Sequence, residues 1–96
     1  METAHKHYFY VLLCADGSYY AGYTIDLSRR LLQHNEGKAS KYTRTRLPAS
    51  LLHSELFETK RAAMQAEYAF KQFSRTKKEN YLLEKGSLHD SNTAKL

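Results

Sequence analysis

Two tyrosine-bearing triplets, Tyr8-Phe9-Tyr10 and Tyr20-Ala21-Gly22, are followed by Arg30 and His34 and, much later, by Glu67. Together these residue types are close to what cleavage of a phosphodiester requires. A phenol can handle a proton, a guanidinium presents a planar fork of donors to a phosphate, and an imidazole donates a bond or moves a proton near neutral pH. Arg30 and His34 are four residues apart and share a helical face beside the stripe of Leu27 and Leu31. Arg29 falls on the solvated flank. Glu67 carries a sharper signal, because Ala63, Ala66, Phe70 and Phe73 define an apolar helical face and Glu67 lies inside it. A carboxylate in that position must be paired, protonated or bound to a metal. A structural ion pair with Arg30 satisfies the requirement. So does an oxygen-loving ion such as Mg2+, which keeps several waters and takes further oxygens from a substrate phosphate.

Short elements must position these groups. Residues 8–14 and 18–23 are apolar, aromatic-rich runs separated by Ala15-Asp16-Gly17, and Asp-Gly is a strong hairpin signal. Asp26 reads as the N-cap of a helix carrying Leu27, Leu31 and Leu32, and Gly37 ends it. The basic, turn-rich stretch 38–48 reads as a loop, and residues 49–57 as a third strand. Thr59 caps a helix over 60–73, and Ser74 or Thr76 starts a shorter one reaching Glu84. The order strand, strand, helix, strand, helix, helix predicts an α+β fold, a small three-stranded antiparallel sheet flanked by helices. A single domain spans 7–83, with flexible termini over 1–6 and 86–96.

The 96 residues leave room for one core. Fifteen Lys and Arg against ten Asp and Glu give a net charge of +5, which favours an anionic partner, nucleic acid being the commonest. No run approaches the roughly 18 apolar residues of a membrane span, and residues 1–7 lack the apolar core of a signal peptide. The one cysteine, Cys14, can form no internal disulfide and follows the apolar Val11-Leu12-Leu13, so it reads as a buried structural thiol in a cytoplasmic monomer.

Eight tyrosines are present, and Tyr8, Tyr10, Tyr19, Tyr20 and Tyr23 crowd the first hairpin. Strand propensity and packing explain most of them. Gly22 ends its strand where a ligand backbone could approach closely. The loop carrying Lys38, Lys41, Tyr42, Arg44 and Arg46 interleaves cations and hydroxyls with one ring and contains no acid, a mixture suited to phosphate contacts and base stacking. Lys71, Arg75, Lys77 and Lys78 read as ordinary helix surface.

The constellation resembles the GIY-YIG nuclease superfamily, and within it the small single-domain bacterial branch of the YhbQ/YazA type. Tyr8-Phe9-Tyr10 stands at the first motif and Tyr20-Ala21-Gly22 at the second, with Arg30, His34 and Glu67 at the positions of the helix arginine, a frequent His or Tyr, and the metal-binding glutamate. The resemblance covers residues 7–83. It implies a metal-dependent endonuclease acting on DNA, with repair or recombination as its setting. Glu67 would hold one Mg2+ or Mn2+ ion, Arg30 would contact the scissile phosphate, Tyr10 or Tyr20 would handle the proton of the attacking water, and His34 would be a secondary phosphate or proton contact. The chain departs from the family pattern in several places. Tyr8 replaces the glycine of the first motif, Ala21 replaces the apolar middle residue of the second, and Tyr23 stands where some relatives carry a lysine. Asn80 is the counterpart of a late asparagine near the metal. A nucleic-acid-binding module with little or no catalysis is the alternative on the same fold.

Overall fold

The computed structural model describes residues 6–88. Strand β1 (His7–Leu13) pairs antiparallel with β2 (Tyr19–Thr24) across the Asp16-Gly17 turn, where Gly17 has φ +85°. Strand β3 (Ser50–Phe57) joins the other side of β1, also antiparallel, so the sheet order is β2-β1-β3. The pattern shifts between Val11 and Leu12, a bulge on the β3 side.

The pleat sorts the strand residues onto two faces. Phe9, Val11 and Ala21 point to one, where they pack with Phe70 and Leu82 of helices α3 (Lys60–Gln72) and α4 (Arg75–Glu84). Tyr10 and Leu12 point to the other, beside Tyr20, Ala49 and the Leu27 and Leu31 side chains of helix α1 (Leu27–Asn35). Phe9 and Phe70 meet at 5.5 Å between ring centroids. Full burial of an aromatic side chain of this size is worth about 1.5–3 kcal/mol, so both faces contribute to holding the sheet between its helices.

Side-chain caps start the helices where the sequence marks them. Asp26 accepts from the Arg29 amide, Thr59 from Ala62 and Ser74 from Lys77. Gly37, at φ +77°, follows α1, and the Lys38 amide closes back on the Gln33 carbonyl. Cys14 is buried as expected, and burial raises its thiol pKa.

Two expectations need correction. The stretch 38–48 is not all loop, because Ser40 accepts from the Tyr42 and Thr43 amides and starts a four-residue helix, α2 (Lys41–Arg44). The segment 86–88, read as the start of a flexible tail, is docked. Leu88 packs on the Phe9–Phe70 core, and Ser87 Oγ lies 2.5 Å from His53 Nδ1. His53 Nε2 in turn meets Glu55 at 2.7 Å, and the Tyr81 hydroxyl donates to the same carboxylate. A polar chain from β3 thus ties down the end of α4. The rest of that tail, and residues 1–5, lie outside the described residues. No described helix is long and apolar enough to cross a membrane.

Candidate active site

The pairing of β1 with β2 sets Tyr10 opposite Gly22. With no side chain at Gly22, the Tyr10 ring lies directly across it. A Cβ placed there would stand 2.4 Å from Tyr10 Oη and 2.5 Å from Cζ. The open space at Gly22 is therefore filled by a tyrosine of the chain itself, which corrects the expectation of a ligand-backbone contact. Tyr10 is buried, and its ring end is no flexible tip that can step aside. Gly22→Ala should displace the ring at a cost of about 1–3 kcal/mol and break its hydrogen bonds. Thermal unfolding and the intensity of the Tyr10 hydroxyl contacts in NMR spectra would check this. An unchanged Tm with Tyr10 still in place would refute it.

Two side chains of α1 converge on the Tyr10 hydroxyl. His34 Nε2 lies 2.8 Å away, and Arg30 Nε donates to Oη at 3.4 Å while its Nη1 holds Gln33 at 3.2 Å. His34 is 0% exposed. Its other nitrogen, Nδ1, meets Thr43 Oγ1 at 2.8 Å, so α2 clamps the imidazole from behind. Thr43 can donate one proton, and it faces the Ser40 carbonyl at 3.4 Å. Toward His34 it therefore accepts, which places the imidazole proton on Nδ1 and leaves Nε2 to accept from the Tyr10 phenol. Among the described residues no buried side-chain nitrogen or oxygen lacks a partner.

Electrostatics keep this chain of groups neutral apart from Arg30. Burial, with the Arg30 charge adding to it, lowers the His34 pKa from the usual 6.5 to about 4. Burial raises Tyr10, opposed by the hydrogen bond and charge of Arg30 and assisted by Tyr20 and Glu67. At neutral pH the site holds a phenol, a neutral imidazole and one guanidinium. His34, expected as a secondary phosphate or proton contact, has no exposed atom and meets the site at the Tyr10 hydroxyl. Whatever it does, it does through Tyr10.

Tyr20 shares the face of Tyr10 but reaches His34 only ring to ring, at 5.1 Å and 64°, and stacks on Tyr42 at 5.9 Å and 26°. Glu67 stands on α3, across the sheet edge from α1. Its carboxylate is 16% exposed and bonded to Lys71 Nζ at 2.7 Å. The ion pair envisaged with Arg30 is thus made with Lys71, one helical turn away, while Arg30 turns to Tyr10. Glu67 still acts electrostatically on the Tyr10 phenol.

The remaining candidates are spread more widely. Tyr8 lies on the Tyr10 face opposite Thr24 but joins none of these bonds. Tyr23 points to the other face, its hydroxyl 2.7 Å from His7 Nδ1 and its ring stacked on His7. Asn80 is exposed on α4, and among the described residues no hydrogen bond joins it to the site. Within the basic stretch, Arg46 is a brace. It bonds Asp16 at 3.0 Å and the Tyr42 carbonyl at 2.7 Å, with its guanidinium 3.8 Å above the Tyr42 ring. Lys38 pairs loosely with Glu36 at 3.8 Å. Lys41 and Arg44 are exposed and have no ion-pair partner among the described residues.

Sequence reasoning missed Thr43, the residue that fixes the imidazole. The trace of it in the sequence is Ser40, three residues earlier, whose capping of a turn fixes where Thr43 points.

Residues 6–80 match the family model of the GIY-YIG catalytic domain. The chain belongs to the GIY-YIG family. This is a nuclease superfamily, and nucleic acid is its class of substrate. The chain is 67% identical over 85 residues to a UPF0213 protein of Bacillus velezensis, covering 88% of this chain and 85% of that one. It is 56% identical to the UPF0213 protein YazA of Bacillus subtilis over the same shares. Among solved structures, the solution NMR structure of the UPF0213 protein BH0048 from Bacillus halodurans is 48% identical, with a TM-score of 0.58 over 84% of this chain and 86% of that one. That of EF2693 from E. faecalis is 49% identical, with a TM-score of 0.61 over 94% and 96%. In this GIY-YIG domain the two triplets do separate work. The third residue of the first supplies the phenol, and the third of the second supplies the space it lies in.

Proposed function

We propose that the chain is a metal-dependent endonuclease that hydrolyses DNA phosphodiester bonds, with Tyr10, His34, Arg30 and Glu67 as its working residues. The observation that carries this reading is the phenol of Tyr10, held between a neutral imidazole acceptor at 2.8 Å and a guanidinium at 3.4 Å. The attacking water passes a proton to Tyr10 Oη as the Tyr10 proton moves to His34 Nε2. The water oxygen bonds to phosphorus, the bond to the leaving oxygen breaks, that oxygen takes up a proton from solvent, and His34 releases its extra proton to solvent. Arg30 meets the phosphate and stabilises the charge developing on its oxygens. A bound phosphate anion also offsets the Arg30 charge that helps depress His34, so substrate makes the imidazole a better proton acceptor in the complex than in the free protein.

The donor set fits a single hard divalent ion. Glu67 is a largely shielded carboxylate, 16% exposed, already engaged with a cation, Lys71. Glu67 would hold Mg2+ or Mn2+ as the one protein carboxylate, with waters and substrate oxygens completing the shell. When bound, such an ion supplies Lewis-acid stabilisation of the phosphate and leaving oxygens.

Nicking of supercoiled, branched and single-stranded DNA tests the reading. Cleavage should require Mg2+ or Mn2+, stop in EDTA and return when the ion is restored. A second reading, a binding module without catalysis, is favoured by Tyr23, which turns a histidine-bonded ring to the far face where some relatives carry a lysine. No cleavage by the wild type, together with DNA binding that weakens steeply with salt, would select that reading instead.

A further inference from the structure

An open pocket of about 300 Å3 adjoins the Tyr10–His34 site along the outer edge of β2. Tyr20 and Tyr42 reach it from the α1 side of the sheet, and Phe70, Lys71 and Lys78 from the helices on the opposite side. Its lining offers aromatic rings and two ammonium groups and contains no carboxylate. The rings are held in place. Tyr42 is braced by Tyr20, 5.9 Å away between ring centroids, and by the Arg46 guanidinium, 3.8 Å from its ring centroid. Lys78 Nζ stands 5.6 Å from the Phe70 ring centroid. Tyr20 is two strand residues, about 7 Å, from Gly22, and Lys71 is bonded directly to Glu67. The pocket and the site are therefore neighbouring stations on one edge of the sheet.

We propose that this pocket receives one unpaired nucleotide of a DNA strand, next to the phosphodiester presented to Arg30 and Tyr10. The base lies against the tyrosine rings, and its phosphate meets Lys78 and Lys71. Rings with flanking cations suit a nucleotide because every base has a π-face and every linkage an anion. The volume is at the small end of ligand sites. It admits one nucleotide and not a base pair, and bases stacked in a duplex present no free face to the rings. The inference rests on the nuclease reading and adds to it the substrate class, DNA that is single-stranded or unpaired at the point of cleavage.

Fluorescence anisotropy in EDTA, where no cleavage occurs, reads the pocket independently of catalysis. The intact protein would be titrated with labelled oligo-dT, an abasic strand of equal length, a blunt duplex and, by competition, dTMP. Oligo-dT should bind about tenfold more tightly than the abasic strand or the duplex, the scale of one base stacked on an aromatic ring. Tyr42→Leu, which keeps bulk but removes the ring, and Lys78→Gln should each weaken oligo-dT by several-fold. Amide shifts on adding oligo-dT should centre on Tyr20, Tyr42 and Lys78. Equal affinity for the abasic strand or the duplex would overturn the proposal, as would wild-type binding by both variants or dTMP binding as tightly as the strand. Oligo-dT binding with this discrimination, but no cleavage of any DNA in Mg2+, would refute the nuclease reading and uphold the pocket. Cleavage of duplex as fast as single strands, with no discrimination in EDTA, would do the reverse.

Discussion

Tyr10→Phe is expected to lower metal-dependent cleavage about a hundred- to ten-thousand-fold, the range spanned by a positioned acid or base, while DNA binding in EDTA stays near the wild-type value. The variant keeps the ring over Gly22 and removes one oxygen. It also leaves the buried His34 Nε2 without the partner it has at 2.8 Å, so about 1–3 kcal/mol of stability should go with it. Glu67→Ala separates the two effects. It should abolish cleavage yet cost little stability, because what it removes is an i,i+4 pair with a half-exposed lysine, a contact worth about 0.3–0.5 kcal/mol. Urea unfolding and plasmid nicking of both variants give the contrast. Cleavage by Tyr10→Phe within threefold of wild type would remove Tyr10 from the reaction. Cleavage by Glu67→Ala at the wild-type rate would show that the metal sits elsewhere or that a contaminating nuclease is at work.

How far the sequence carried these assignments depended on the range over which each is decided. The hairpin, the three capped helices and the sheet class follow from local signals, since Asp16-Gly17, Asp26, Thr59 and Ser74 each act within three residues. Strand β3 begins at Ser50, one residue later than the pattern indicates. The four residues of α2 carry no periodicity, and only the Ser40 side chain separates them from a loop. At the site, the i,i+4 spacing of Arg30 and His34 placed both beside the sheet, but spacing does not say which is buried. That is decided by Tyr10 in front of His34 and Thr43 behind it, 24 and nine residues away in the chain. Glu67 shows the opposite case. Its partner, Lys71, stands one helical turn away at i,i+4, whereas the sequence equally allows the distant Arg30. The choice between Tyr10 and Tyr20 was open because both point to one face. What favours Tyr10 is a hydrogen bond that only the assembled fold provides.

Acidification should remove about 3 kcal/mol of folding stability through His34 alone, the equivalent of moving its pKa from 6.5 in the unfolded chain to about 4 in the fold. With the folded value below the unfolded one, the unfolded chain binds the extra proton first. The contribution is therefore whole above pH 6.5 and declines as pH falls toward 4, below which both states are protonated. The cause is the burial that makes the site work as proposed, aided by the charge of Arg30. An imidazole with 0% exposure, its Nδ1 proton given to Thr43 and its Nε2 accepting from Tyr10, has no lone pair left for a second proton without breaking a bond. Out of a total stability of about 5–15 kcal/mol for a domain, the loss is large enough to move an unfolding midpoint visibly. Urea unfolding between pH 7.5 and pH 4.5, expressed as the difference between wild type and His34→Asn, isolates the term from the other titrating groups. An NMR titration of the wild-type ring reads the same quantity directly and survives if the variant is too unstable to compare. A His34 resonance that titrates near 6.5 would mean that the ring is solvated and the Tyr10 phenol lacks its acceptor, and the proton path from water through Tyr10 would fall with it.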